Sequence, residues 1–96
     1  MRVLVIFAHP VETSFGAAVH ATVVEGLRAA GHEVDDCDLY AEGFLAAMSR
    51  EQRIVYQDVG ANRAEVEPYV RRLLAAEALV FVHPVWNFGY PAILKG

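Results

Sequence analysis

Two unbroken apolar runs, Val3–Ala8 and Leu79–Val82, constrain this chain more than anything else in it. Both are rich in β-branched or aromatic side chains and too short for helices. Strands that apolar, with no polar residue alternating, are covered on both faces. The second run stops at His83-Pro84, because proline has no N–H to give to a ladder. The stretch that follows, Val85 to Tyr90, sets large side chains just beyond a strand's carboxyl end. Pro91 then opens Ala92–Lys95, the first turn of a helix.

Between the two runs the pattern alternates. His9 to Thr13 is a connecting loop, and Ser14 is an N-cap ahead of Phe15, Ala18, Val19, Val23, Leu27 and Ala30 at helical spacing. Gly31 stands where a helix ends, so the spacing predicts a helix over 15–30. His32–Leu39 reads as a second, more exposed strand, parallel to the first through a right-handed crossover. Tyr40 to Met48 is loop. Ser49 and Gln52 form a capping-box pattern, which predicts a helix from 50 to about 57, broken by Gly60-Ala61-Asn62. A further helix covers 64–75, with its proper start near 67 because of Pro68, and Val66, Tyr69, Val70, Leu73 and Leu74 on its buried face. A strand over 78–83 completes β-α-β-α-α-β plus the start of a helix. The fold class is α/β, a parallel sheet between helical layers.

Ninety-six residues make one domain at most. A strand as apolar as Leu79–Val82 needs a neighbour on each side, so the expectation is the amino-terminal part of a larger sheet, cut just inside a helix. The net charge of −4, with Arg71-Arg72 merely a pair, argues against a nucleic-acid track. The apolar run after Arg2 is too short for a signal peptide, and nothing approaches a membrane span. The single cysteine, Cys37, forms no internal disulfide, which fits a reducing compartment, and a cytoplasmic protein is expected.

Two constellations carry chemistry. His9-Pro10-x-x-Thr13-Ser14-Phe15 joins strand one to helix one, where unpaired N–H groups and a partial positive charge suit a phosphate. The bland alternative is that Ser14 only caps and His9 only fills a turn. It lacks the glycines of a dinucleotide fingerprint or a P-loop. The loop 84–91 offers backbone donors and, from Trp86 and Phe88, surfaces for a flat ring, or else a satellite core or an interface. His20, His32 and His83 lack metal-ligand spacing, and His83 reads as a packed histidine. Cys37 reads as a small buried apolar residue. Asp35, Asp36 and Asp38 read as a solvated face, and Glu12 has no specific role.

Four stretches carry a family resemblance. They are Ala8-His9-Pro10 with Thr13-Ser14-Phe15, Asp38-Leu39-Tyr40 with Phe44, Leu79-Val80-Phe81, and Pro84-x-Trp86 through Gly89-x-Pro91-Ala92-Ile93-Leu94-Lys95-Gly96. In that order they resemble the amino-terminal half of the flavodoxin-like NAD(P)H:quinone oxidoreductases, the DT-diaphorase-like group. The resemblance implies a flavodoxin-like order in which strands one and three are adjacent. It also implies a flavin, usually FAD with FMN as the alternative, reduced by hydride from NAD(P)H and reoxidised by a quinone-like acceptor. His9, Thr13, Ser14, Phe15 and Ala18 would hold the phosphate and ribityl side. Pro84, Val85, Trp86, Asn87 and Phe88 would line the isoalloxazine.

The resemblance implies no catalytic acid or base, since the flavin does the chemistry. It implies a homodimer, with partner-chain residues closing the substrate pocket. The chain departs from the family pattern at Gly16, where an Asn is usual, and at Asn87, where a second aromatic is common. A later loop with glycines, a Tyr and a His lies outside these residues, which implies weak or no flavin binding by the 96 residues alone. The rival readings are an ancillary regulator of a partner such as a potassium-efflux system, and an inactive truncated paralogue.

Overall fold

The computed structural model describes residues 1–96. The elements follow as β1 (Arg2–Phe7), α1 (Phe15–Ala29), β2 (Glu33–Asp38), α2 (Arg50–Ile54), α3 (Val59–Ala64), α4 (Glu67–Ala75), β3 (Ala78–Val82) and α5 (Ala92–Lys95). The strands form one parallel sheet in the order β2-β1-β3, as expected. Val3 pairs with Val34 on one side and Ala78 on the other, and Phe7 with Asp38 and Val82. All three strands therefore reach their carboxyl ends together.

Strand alternation sorts the core into two halves. Val3, Val5 and Phe7 face α1 and pack with Val24 and Val82. Leu4 and Ala8 face the other way and join Cys37 and Leu39 beneath Phe44, Tyr69, Ile93 and Leu94. Val5, in the middle strand, is wholly buried. This double coverage is why β1 shows no polar alternation.

Caps set the helix ends. Ser14 Oγ accepts the Ala17 N–H at 3.0 Å, and Gly31 leaves α1 in the left-handed region at φ 89°. At α2 the capping box forms in both directions, Ser49 Oγ accepting from Gln52 N at 3.1 Å and Gln52 Oε1 from Ser49 N at 2.7 Å. Pro68 falls in the first turn of α4, where its missing N–H costs nothing.

Two expectations are corrected. Gly60-Ala61-Asn62 does not break a helix but lies inside α3, because Asp58 caps a new start by accepting the Ala61 N–H at 3.2 Å. Leu73 and Leu74 are exposed rather than buried, since α4 covers β1 and β2 with its Tyr69 side. As expected of the amino-terminal part of a larger sheet, strand β3 pairs with β1 alone, and its Leu79 and Phe81 stand exposed on the face shared with Leu4.

The acidic run on β2 is also not one solvated face. Asp35 and Asp36 point to opposite sides of the sheet, and each holds a helix. Asp36 Oδ1 lies 2.7 Å from His20 Nε2 on α1. Asp35 takes a forked pair from Arg72 on α4, with Nε 3.0 Å from Oδ2 and Nη2 2.9 Å from Oδ1. The expectation for Cys37 stands: its thiol is buried on the α4 side, and burial first, against the opposing pull of Arg72, lifts its pKa from an ordinary 9.0 to about 11. The unfolded thiol ionises first as pH rises, so folding stability is intact below pH 9 and declines toward pH 11. Urea melts across that window are expected to show the decline, and Cys37→Ala to flatten it. An equal slope in the variant would assign the effect elsewhere.

Candidate functional site

The β1–α1 loop and the loop after β3 leave neighbouring strands at the same end of the sheet, and they touch. The His9 ring meets the Trp86 ring edge-on, centroids 5.7 Å apart at 61°. Ala8 N donates to Val82 O at 3.0 Å, which ties the two strand ends together just below that contact. Parallel pairing on either side of β1 produces this juxtaposition, at the crevice where open α/β sheets hold ligands.

On the first loop, His9 Nδ1 accepts the Val11 N–H at 3.0 Å. That acceptor role leaves the ring proton on Nε2, so His9 presents a neutral N–H donor. The N–H groups of Phe15 and Gly16 belong to the first turn of α1 and have no acceptor within the helix. Gly16 leaves room beside the His9 ring and Ser14 Oγ, each 3.7–3.8 Å from where a Cβ would sit. Phe15 is exposed, with none of its ring in the core, and Thr13 lies on the exposed turn ahead of the cap. Ser14 Oγ is committed as an acceptor to the cap and keeps its own proton to donate. Ala18 sits one turn further in, with its N–H already bonded to Ser14 O at 3.2 Å, so it offers only its small side chain.

The second loop closes in a tight turn that composition did not reveal. Trp86 N donates to Gly89 O at 3.2 Å and Gly89 N to Trp86 O at 3.1 Å. The central residues Asn87 and Phe88 are both left-handed, at φ 50° and 61°, the signature of a type I′ turn. Asparagine tolerates that region; phenylalanine does not, at a cost of about 1–2 kcal/mol. Phe88 is fully exposed, so packing does not compensate. Backbone strain of this kind clusters at ligand clamps and active sites. Phe88→Gly is expected to raise stability by about 1 kcal/mol in a denaturant melt while removing the ring from the shelf. A loss of stability instead would mean the ring is structural. Beside this turn Val85 is exposed and Trp86 partly so, Pro84 is half-buried, and Pro91 is fully buried and anchors the loop's exit.

His83 turns out to serve the loop's fold. Its Nδ1 lies 2.9 Å from Pro84 O, and its ring packs on Tyr90 at 4.9 Å. His20 is stacked flat on Phe7, centroids 4.1 Å apart at 3°. No cluster of three His, Cys, Asp or Glu has metal-binding geometry, and no helix is long and apolar enough to cross a membrane. The residues that sequence reasoning passed over are Glu12, His20, Asp38 and Tyr40. With Phe7 and His9 they line a cavity of about 430 Å3 on the far side of His9 from Trp86.

A three-strand parallel sheet in this order, with a helix-start loop and an aromatic loop at one crevice, agrees with the sequence comparisons. The family described as Flavodoxin-like fold matches residues 1–96. The chain belongs to that family. Among its relatives, NAD(P)H dehydrogenase (quinone) 1 of Rattus norvegicus is 33% identical over 112 residues, covering 99% of this chain and 40% of the relative. The FMN-dependent NADH:quinone oxidoreductase 3 of Bacillus anthracis is 31% identical over 119 residues, covering 98% and 52%. Of solved structures, the NAD(P)H:quinone oxidoreductase from Methanothermobacter marburgensis superposes with a TM-score of 0.87 at 36% identity, covering 99% of this chain and 50% of that one. The chain thus spans about half the length of the relatives it matches.

Proposed function

We propose that this flavodoxin-like chain carries the flavin-binding end of an NAD(P)H:quinone oxidoreductase. The observation that supports it most is the contact between His9 and Trp86, which makes one continuous ledge of a helix start and an aromatic turn. A planar group with a phosphate tail needs those two features within a few ångströms of each other, and the residues present fit it. The Phe15 and Gly16 N–H groups and the hydroxyls of Thr13 and Ser14 are the donors for the phosphate side. His9 Nε2–H adds a donor in a fixed orientation, without charge. Trp86 and Phe88 are the surfaces for the ring, with Pro84, Val85 and Asn87 beside it, and exposed loop N–H groups can meet ring acceptors.

When bound, the flavin supplies the chemistry: it takes hydride from NAD(P)H and passes two electrons to a quinone-like acceptor. The chain's own work is positional. The turn at 86–89 fixes the tilt of Trp86, and Pro91 fixes where the turn sits. Lys95 places its ammonium about 3.5 Å from where a Cβ on Gly89 would lie, adding positive potential next to the turn. FAD is the proposed flavin, with FMN the alternative that the name of the Bacillus anthracis relative favours. A homodimer and a cytoplasmic location complete the reading.

Titration of FAD and FMN with the purified chain tests it. Weak but saturable quenching of flavin fluorescence is expected. Failure to bind either flavin would sink the proposal and favour a partner-binding role.

A further inference from the structure

The sole lysine of this chain lies against the aromatic turn. Helix α5 is a single turn, in which Lys95 N donates to Pro91 O at 3.2 Å, and it carries the lysine back over the loop just left. Lys95 Nζ comes within 3.5 Å, and Cε within 3.9 Å, of where a Cβ on Gly89 would sit. We propose that Lys95 is a specificity-determining residue, whose ammonium makes the turn at 86–89 prefer a planar ring with a negative charge over its neutral counterpart.

Elimination leads to this assignment. The chain carries a net charge of −4, and its other cations are spent or distant. Every arginine but Arg28 and Arg53 pairs with a carboxylate. Arg53 lies over the Tyr56 ring at 5.7 Å, and Arg28 is in the last turn of α1, which ends beside the amino ends of the strands. His9 spends Nδ1 on Val11 and offers a neutral donor. Lys95 itself enters no ion pair and no side-chain hydrogen bond of the chain. Glu12 and Asp38 line the cavity beyond His9, away from the turn, and leave its charge in place.

Packing accounts for the stem of this side chain but not for its charge. The stem crosses bare backbone at Gly89, and a methionine of similar length would cover the same surface. An ammonium adds an attraction that reaches several ångströms and is worth several-fold in affinity near a protein surface. The rings of Trp86 and Phe88 offer area and stacking to a flat partner whatever its charge. The discrimination therefore falls to Lys95.

The inference rests on the flavin reading for one source of the charge. Hydride transfer brings two electrons and one proton to a neutral ring, so the ring gains one negative charge and the nicotinamide one positive charge. The other source is an acidic substituent on the acceptor. NMR-detected titration in mildly alkaline buffer with 2-naphthoate and 2-naphthamide, and anaerobically with oxidised and dithionite-reduced FMN, separates them. The naphthyl pair differs in one charge on the same flat frame, and the phosphate of FMN is common to both its states. Each charged partner is expected to bind about five- to tenfold more tightly than its neutral counterpart. For FMN that ratio equals a rise of about 20–30 mV in the bound two-electron couple. Lys95→Arg is expected to keep both preferences, Lys95→Met to abolish them and Lys95→Glu to reverse them. Thermal melts should not change, because the side chain is exposed and unpaired. A preference within the FMN pair alone assigns the charge to the reduced ring, and one within the naphthyl pair alone assigns it to the acceptor. Equal binding within both pairs, or preferences that persist in Lys95→Met, overturns the inference, while FMN binding keeps the flavin reading standing. If 2-naphthoate is preferred and neither state of FMN binds, Lys95 keeps its role and the flavin reading falls. Binding of none of the four overturns both.

Discussion

Arg72→Ala is expected to remove about 2–4 kcal/mol of folding stability, most of it through the charges left behind. Arg72 donates to both oxygens of Asp35, to Glu42 Oε1 at 2.6 Å and to the Asp36 carbonyl at 3.2 Å. Its side chain is 24% exposed, and those of Asp35 and Glu42 are 21% and 31%. The hydrogen bonds to Asp35, then to Glu42, hold the guanidinium even further above its ordinary pKa. This one side chain ties α4 to β2 and to the turn after it. Removing it strands two half-buried carboxylates on the same side of the sheet as the buried Cys37. The exposed pair of Arg71 with Glu67 lacks this burial, so Arg71→Ala is expected to cost well under 1 kcal/mol. Arg72→Lys should recover only part of the loss, since an ammonium cannot fork. Urea melts of the three variants check this, and equal effects of Arg71→Ala and Arg72→Ala would refute it.

Trp86→Ala is expected to loosen flavin by about 1–3 kcal/mol, or roughly 5- to 150-fold in Kd, with little effect on folding. Trp86 is 43% exposed and belongs to neither buried core cluster, so the core does not depend on it. The backbone turn survives, because Trp86 N and O make its hydrogen bonds whatever the side chain. Flavin titration paired with a thermal melt separates the two roles. A large drop in melting temperature with unchanged flavin affinity would make Trp86 a packing residue and remove the ring-facing half of the ledge.

Much of the scaffold could be read from local pattern. Val3–Ala8 lacks polar alternation because helices cover both faces of β1, and periodicity senses that directly. Ser14, Gly31 and the Ser49–Gln52 box marked helix ends because capping is decided within four residues. The misreadings share a cause. Gly60-Ala61-Asn62 looked like a break until Asp58 was seen to cap a new start. Leu73 and Leu74 have the right spacing for a buried face, but which face meets the sheet depends on where Arg72 and Tyr69 dock. Asp35 and Asp36 are adjacent letters that a strand sends to opposite sides, so their partners on α4 and α1 could not be read from the run itself. The turn at 86–89 was hidden because Asn-Phe is not the pair that a left-handed turn prefers.

The sequence by itself determined the parallel sheet, the helix starts and the aromatic stretch after β3, since each follows from contacts or caps a few residues apart. Tertiary structure alone decided that His9 meets Trp86, that Arg72 holds two carboxylates, and that Glu12 and Asp38 face one cavity. Those are pairings between groups from 26 to 77 positions apart. Strand register and helix docking set them, and both are fixed by burial summed over the whole domain rather than by any local rule.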